Sequence, residues 1–168
     1  MLRRKKILLL VTVLALCIGC DQAAKEVARQ TLRGYPPESF AADTFRLHYI
    51  ENTGGFLSLG ARLPAGIRFW LMQVLPVIGL SGIVIFTALS QRLTGLEVLL
   101  LALVAGGGIG NLIDRIFRDG RVVDFLNLGI GPLRTGIFNL ADVFIMVGGI
   151  GLVALGLIVR QRAAGQNQ

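Results

Sequence analysis

Long apolar runs with almost no charge alternate along this chain with two more polar stretches, and four of the runs are candidates to cross a bilayer. The first, Ile7–Gly19, follows the basic cluster Arg3, Arg4, Lys5 and Lys6. The second is Phe69–Ser90, the third Leu96–Ile113 and the fourth Ile137–Val159. An α-helix rises about 1.5 Å per residue and a hydrocarbon core is roughly 30 Å thick, so the second and fourth runs span outright. The third is near the lower limit. The first spans only if its helix continues into Asp21–Gln30, whose DQAAKEVARQ reads as helical; that places the span at about residues 7–24. Gln73 and Pro76 interrupt the second run, which a membrane helix tolerates when neighbours satisfy the freed carbonyl.

The segments left over, about residues 25–68 and 114–136, become outer loops. In the first of them Phe45, Leu47 and Tyr49 alternate with Arg46 and His48 over Thr44–Ile50, a strand pattern. Asn52-Thr53-Gly54-Gly55 is a turn signal, and Phe56–Leu59 is a second short extended run. Together they predict a β-hairpin or half-barrel resting at the headgroups, with an ordinary inter-helix loop as the alternative.

Composition supports a membrane protein. Of 168 residues 54% are apolar and 16% charged, whereas a soluble domain is about 25% charged. The length suits one domain over residues 1–168. The net charge of +7 could suggest nucleic acid, but the Lys and Arg residues flank apolar runs, where they anchor to headgroups and set topology. By the positive-inside rule the RRKK cluster and Arg160 and Arg162 lie inside, so both termini are cytoplasmic and the two long loops are outside. Residues 1–20 also resemble a secretory signal, and Cys20 a lipoprotein cleavage site. Cys17 stands where such a site has a Leu-like residue, so the run is read as a retained first helix.

Two aspartates are the candidate chemistry. Asp142 lies early in the fourth run, and an ionised carboxylate there costs about 2.5–3.5 kcal/mol at mid-bilayer even on the lenient insertion scale. Asp124 is the only charged residue between Val122 and Leu133. If the two meet, they cannot both ionise easily and would share a proton, one acting as base on water and the other as acid to a carbonyl oxygen. Competing chemistries lack residues. His48 is the only histidine, so a histidine metal cluster is out of reach and nothing calls for a metal or an organic cofactor. Gly106-Gly107-Gly108-Ile109-Gly110 lacks a phosphate-loop signature and instead has GxxxG spacing for close helix packing. Cys17 and Cys20 read as two apolar cysteines on one helix face. A proton-coupled carrier is the rival reading of membrane carboxylates, although the two halves show no internal repeat. A membrane scaffold is the third.

At these residues the chain resembles the lipoprotein signal peptidase (signal peptidase II) family. Asp21-Gln22-Ala23-Ala24-Lys25, Asn52-Thr53-Gly54-Gly55-Phe56, the stretch Gly106–Phe125 with GNLIDR and GRVVDF, and Phe138-Asn139-Leu140-Ala141-Asp142 are similar to its four motifs, in order. The resemblance implies an all-α membrane protein of four helices with a small extracytoplasmic β element, acting as an intramembrane aspartic endopeptidase of the bacterial inner membrane. It would cut prolipoproteins just before a diacylglyceryl-modified cysteine, near the periplasmic face. By motif match Asp124 and Asp142 would be the catalytic dyad, supported by Asn52, Gly54, Asn111, Arg115 and Asn139. Arg115 and Asn52 would donate to substrate carbonyls, and Asp21, Lys25 and Asp114 would brace the outer helix ends. The expected partners are lipid-modified prolipoproteins and membrane lipid, with no cofactor and no nucleic acid, for a monomer. Two departures from the family pattern, Ala24 before Lys25 and the tighter Gly54-Gly55-Phe56, touch the outer element and not the dyad.

Overall fold

The computed structural model describes residues 2–55 and 59–165. Four helices are long and apolar enough to cross a membrane: α1 (Arg3–Leu32), α2 (Ala65–Leu89), α3 (Gly95–Phe117) and α4 (Leu140–Gly165). A four-stranded antiparallel sheet of order β1-β2-β3-β4 is formed by the segments that join α1 to α2 and α3 to α4, built from β1 (Glu38–Phe40), β2 (Phe45–Asn52), β3 (Val122–Ile130) and β4 (Leu133–Arg134). Leucine, isoleucine and valine side chains such as Leu8, Val11, Ile78, Ile85, Ile150 and Val153 stay exposed on the helices, as expected of surfaces solvated by lipid tails.

Helix α3 is the centre of the bundle, packed against the other three, and its glycines explain how. A Cβ at Gly106 would come within 2.7 Å of the Cys17 Cβ on α1, and one at Gly110 within 2.7 Å of Asp21 Oδ2. At Gly107 it would strike the Ala141 carbonyl on α4, and at Gly108 it would lie 2.5 Å from Leu80 Cδ2 on α2. Four neighbouring positions thus let three helices approach one, the close packing that small residues permit in membranes. Cys17 is buried at this contact while Cys20 is exposed, so the two cysteines do not share a packed face.

Each helix end follows from local chemistry. Thr94 starts α3 with a capping box, its hydroxyl accepting from the Glu97 N–H while the Glu97 carboxylate accepts from Thr94 N–H at 2.7 Å. In α2 the segment Trp70–Val74 has π-helical hydrogen bonding, with Leu75 N–H donating to the Trp70 carbonyl. This wider turn comes just before Pro76, whose ring has no N–H and crowds the carbonyl four residues back. Helix α3 continues one turn past its apolar run because Asp114 finds buried partners there. A turn with Gly120 at φ +79° then sends the chain back as β3.

The sheet differs from a simple hairpin. β2 does pair with an adjacent strand, but that strand is β1, upstream of it. Its other neighbour is β3, contributed by the segment between α3 and α4. Of the expected second run Phe56–Leu59, residues 56–58 lie outside the described residues and Leu59 lies in a turn. A bulge between Leu47 and Ile50 shifts the β2–β3 register just before the Ile50–Asp124 pair. Such an irregularity re-aims the side chains around it. Along β3, Val123 and Phe125 pack with Ala28 and Leu32 of α1, so Val122 and Asp124 face the opposite way, into a cleft.

Candidate active site

The cleft has a volume of about 530 Å³ and is walled by α2, α3, α4 and the start of β3. Asn52, Asn111, Arg115, Asp124 and Asp142 supply its polar side, and Met72, Leu80, Ile83, Ile145 and Met146 its apolar side. Five residues singled out in the sequence therefore line one space. Asn139 is buried directly behind it, and Gly54 contributes its backbone. Asp21, Lys25 and Asp114 are buried too, but outside the cleft, at the junction of α1, α3 and β3.

Asn139 joins the two aspartates. Its side-chain amide donates to Asp124 Oδ1 at 2.7 Å and to Asn111 Oδ1 at 3.0 Å. Its backbone N–H donates to Asp142 Oδ2 at 3.1 Å, and its own Oδ1 accepts from the Asp142 N–H at 2.9 Å. The last two bonds form a reciprocal cap of the kind that satisfies orphan N–H groups at a helix start. Asp142 is thereby placed in the first turn of α4, where the helix dipole favours a negative charge.

Each carboxylate is held through both oxygens. Asp142 Oδ1 accepts from the Asn111 amide at 2.8 Å, completing its pair with Asn139. Asp124 Oδ2 accepts from the Asn52 amide at 2.9 Å. Asn52 spends its other N–H on the Gly55 carbonyl at 3.1 Å, and its Oδ1 accepts from Gly54 N–H at 2.9 Å. Both donors of Asn52 are thus engaged within the protein, so it serves Asp124 and has no N–H left over for a ligand. Burial, aided by the nearby Asp142 charge and only partly offset by the amides of Asn52 and Asn139, pushes the Asp124 carboxyl up to about 6.

Arg115 is the cation of the cleft. One Nη donates to the Gly54 carbonyl at 2.9 Å, which ties α3 to the end of β2. Its Nε is buried and has no partner among the described residues. Arg115 lines the cleft with this N–H donor unspent among the described residues. Among the described residues no three His, Cys, Asp or Glu side chains converge as a metal site.

The residues behind the cleft form a charge-balanced cluster. Lys25 Nζ lies 2.7 Å from Asp21 Oδ2 and 3.1 Å from Asp114 Oδ2, with all three side chains fully buried, and Arg118 adds a second cation 3.4 Å from Asp114. Asp21 Oδ1 accepts from Ala141 N–H at 2.9 Å, so a carboxylate of α1 also caps α4. Asp114 accepts from Val123 N–H at 3.1 Å and so fixes where β3 begins, next to Asp124. Gln22 was quoted in the first motif without a role. Its amide bonds Asp21, Asp114 and the Gly110 carbonyl, so it stitches α1 to α3. Its place one residue after a buried Asp was the only sequence signal for it.

Comparison with known proteins gives the family and the fold. A family model described as signal peptidase (SPase) II matches residues 13–158. A lipoprotein signal peptidase of Treponema denticola is 35% identical over 142 residues, covering 82% of this chain and 82% of that relative. One from Borrelia duttonii is 29% identical over 167 residues, covering 96% and 97%. Among solved structures, a bacterial membrane enzyme determined by the in meso method at 2.3 Å superposes with a TM-score of 0.73 at 24% identity, over 91% of this chain and 87% of that one.

Proposed function

The chain belongs to the signal peptidase II family, and on that premise we propose that Asp124 and Asp142 are the reacting pair that hydrolyses its substrates. The protein is a multi-pass membrane protease that removes signal peptides from prolipoproteins. The observation that carries the assignment is the single residue, Asn139, bonded to both carboxylates at the wall of one cleft.

One carboxylate of the pair takes a proton from water as its oxygen attacks the scissile carbonyl carbon. The other, protonated, gives its proton to the carbonyl oxygen, yielding a tetrahedral diol. Collapse returns a proton from one diol hydroxyl to the second carboxylate, while the first passes its proton to the departing amide nitrogen. A carboxyl raised to about 6 keeps its proton well above the pH at which an ordinary aspartate loses it, which favours a proton shared by the pair. Arg115 holds a neighbouring carbonyl of the substrate, a role supported by its place in the cleft lining and its unspent Nε–H. The apolar wall of Met72, Leu80, Ile83, Ile145 and Met146 suits a signal-peptide core and the acyl chains of a diacylglyceryl-modified cysteine. Cleavage falls just before that cysteine. The protein works as a monomer in the bacterial inner membrane, in contact with lipid, with both termini cytoplasmic and the cleft towards the periplasm.

The test is cleavage of a diacylglyceryl-modified prolipoprotein in detergent by wild type, Asp124→Asn and Asp142→Asn. Cutting before the lipidated cysteine by wild type alone, with both variants folded, is the expected result. Retained turnover in either variant overturns the pair.

A further inference from the structure

Lys25 is 0% exposed and lines no part of the cleft. Its ammonium has three N–H donors. Two serve Asp21 and Asp114, and the third donates to Asn111 Oδ1 at 2.9 Å. Asn139 Nδ2 donates to the same oxygen at 3.0 Å. Both acceptor sites of the Asn111 carbonyl are therefore filled, one of them by a full positive charge.

An asparagine amide has two ends of similar shape and opposite polarity. Turned the other way, Asn111 would present its NH2 to the ammonium of Lys25 and its oxygen to Asp142. Both contacts would be repulsive, and the one with Lys25 would be fully buried, where mismatched polar groups cost most. The arrangement found leaves one orientation, with Nδ2 donating to Asp142 Oδ1 at 2.8 Å. With Asp142 Oδ2 held by the Asn139 N–H, the plane of the carboxylate is fixed from both sides. The ammonium also draws electron density from the Asn111 carbonyl and so strengthens the donation at its far end.

We propose that Lys25 is a positioning residue for hydrolysis, acting through Asn111, whose amide it locks so that Asn111 can only donate to Asp142. The proposal rests on Asp142 being one of the reacting carboxylates. It goes beyond a brace between α1 and α3, because a brace needs only Asp21 and Asp114.

The two roles separate in a double-mutant cycle read in kcat, KM and Tm on a diacylglyceryl-modified prolipoprotein. Lys25→Met is made together with Asp21→Asn, so that removing the cation does not strand two buried carboxylates. This pair is expected to lower kcat by about 30-fold or more with KM within about threefold, as befits a lost orientation of a reacting group. Asn111→Ala is expected to lower kcat comparably. In the Asn111→Ala background the Lys25/Asp21 pair then costs less than about threefold more, because residues acting in series are not additive. Full multiplication of the two losses overturns the proposal, as does a loss carried by KM or by Tm alone. If the methionine variant does not fold, Lys25→Gln with Asp21→Asn replaces it in the same cycle, keeping a neutral donor in the cluster, and the same outcomes decide. Failure of the underlying pair reads differently: Asp142→Asn would then still cleave, whatever the cycle shows.

Discussion

The Asn139 side chain donates to Asp124 at 2.7 Å while its backbone N–H donates to Asp142 at 3.1 Å, so a single residue sets the relation between the two carboxylates. Its roles can be pulled apart. Asn139→Ser keeps an N-cap oxygen for the Asp142 N–H but removes the amide that bonds Asp124 and Asn111. Serine caps about as well as asparagine, so stability is expected to fall by only about 1–2 kcal/mol for the lost buried bonds. Turnover is expected to fall about 10²–10³-fold, the size of effect seen when one preorganised donor is removed. Tm and kcat measured on the same preparation check the split.

The Asp124 carboxyl makes stability depend on pH in a stated direction. Its value in the fold, about 6, lies above the 3.8 of an ordinary aspartate, so the folded state binds this proton more tightly than the unfolded chain. Its favourable contribution is complete below about 3.8 and is lost as pH rises through about 6, an effect of roughly 3 kcal/mol at most. Asp124→Asn carries no charge to bury. Its Tm relative to wild type is therefore expected to rise between pH 4 and pH 7.5, even though its turnover is expected to be lost. A Tm difference that stays flat over that range would show that Asp124 does not titrate there.

The same proton sets the alkaline side of the rate profile. Ionising Asp124 removes the proton that the proposed pair shares, so kcat/KM is expected to decline above about pH 6 in the free enzyme. The Asn52 amide favours the ionised form of Asp124. Asn52→Ala is thus expected to move the alkaline limb to higher pH while lowering the plateau. A shift to lower pH would contradict the hydrogen bond's direction.

What could be read from the sequence followed from how strongly each feature departs from its surroundings. Four apolar helices stood out because lipid demands long uncharged runs, and Asp142 stood out as a carboxylate inside one of them. Asp124 was visible only as a lone charge among apolar residues. Its strand was not visible: Val122, Val123, Asp124 and Phe125 are all buried, so the alternation that marks a half-exposed strand is missing. The pairing of β2 with β3 was not visible for a related reason, since it joins segments some seventy residues apart. The Asn52 amide was expected to serve a substrate, but which bonds an amide spends internally depends on neighbours from other elements. The glycine run was correctly taken as close packing, although only the structure reveals that it serves three helices at once.

Gly107 is the most demanding of those glycines. A Cβ there runs into the Ala141 carbonyl and within 2.9 Å of Ile145 Cγ1, at the turn of α4 that carries Asp142. Gly107→Ala is expected to cost about 1–3 kcal/mol by overpacking and to lower kcat by displacing Asp142. Gly149→Ala on α4 meets nothing within 4 Å and should leave both unchanged. Tm and turnover of the pair of variants check it, and equal behaviour would mean that α3 and α4 do not pack as described.

The orientation in the membrane can be tested from exposed positions on opposite sides of the bundle. Tyr35 follows the C-terminal end of α1 and is 67% exposed, while Arg92 lies exposed in the short turn between α2 and α3. With both termini cytoplasmic, four spans put residue 35 in the periplasm and residue 92 in the cytoplasm. In a background with Cys17 and Cys20 replaced by serine, Tyr35→Cys is expected to react with a membrane-impermeant maleimide on intact spheroplasts. Arg92→Cys is expected to react only after lysis. The reverse pattern would place the cleft on the cytoplasmic side, where a protease acting on exported precursors would meet its cleavage site only before translocation, and the proposed site of action would fall with the topology.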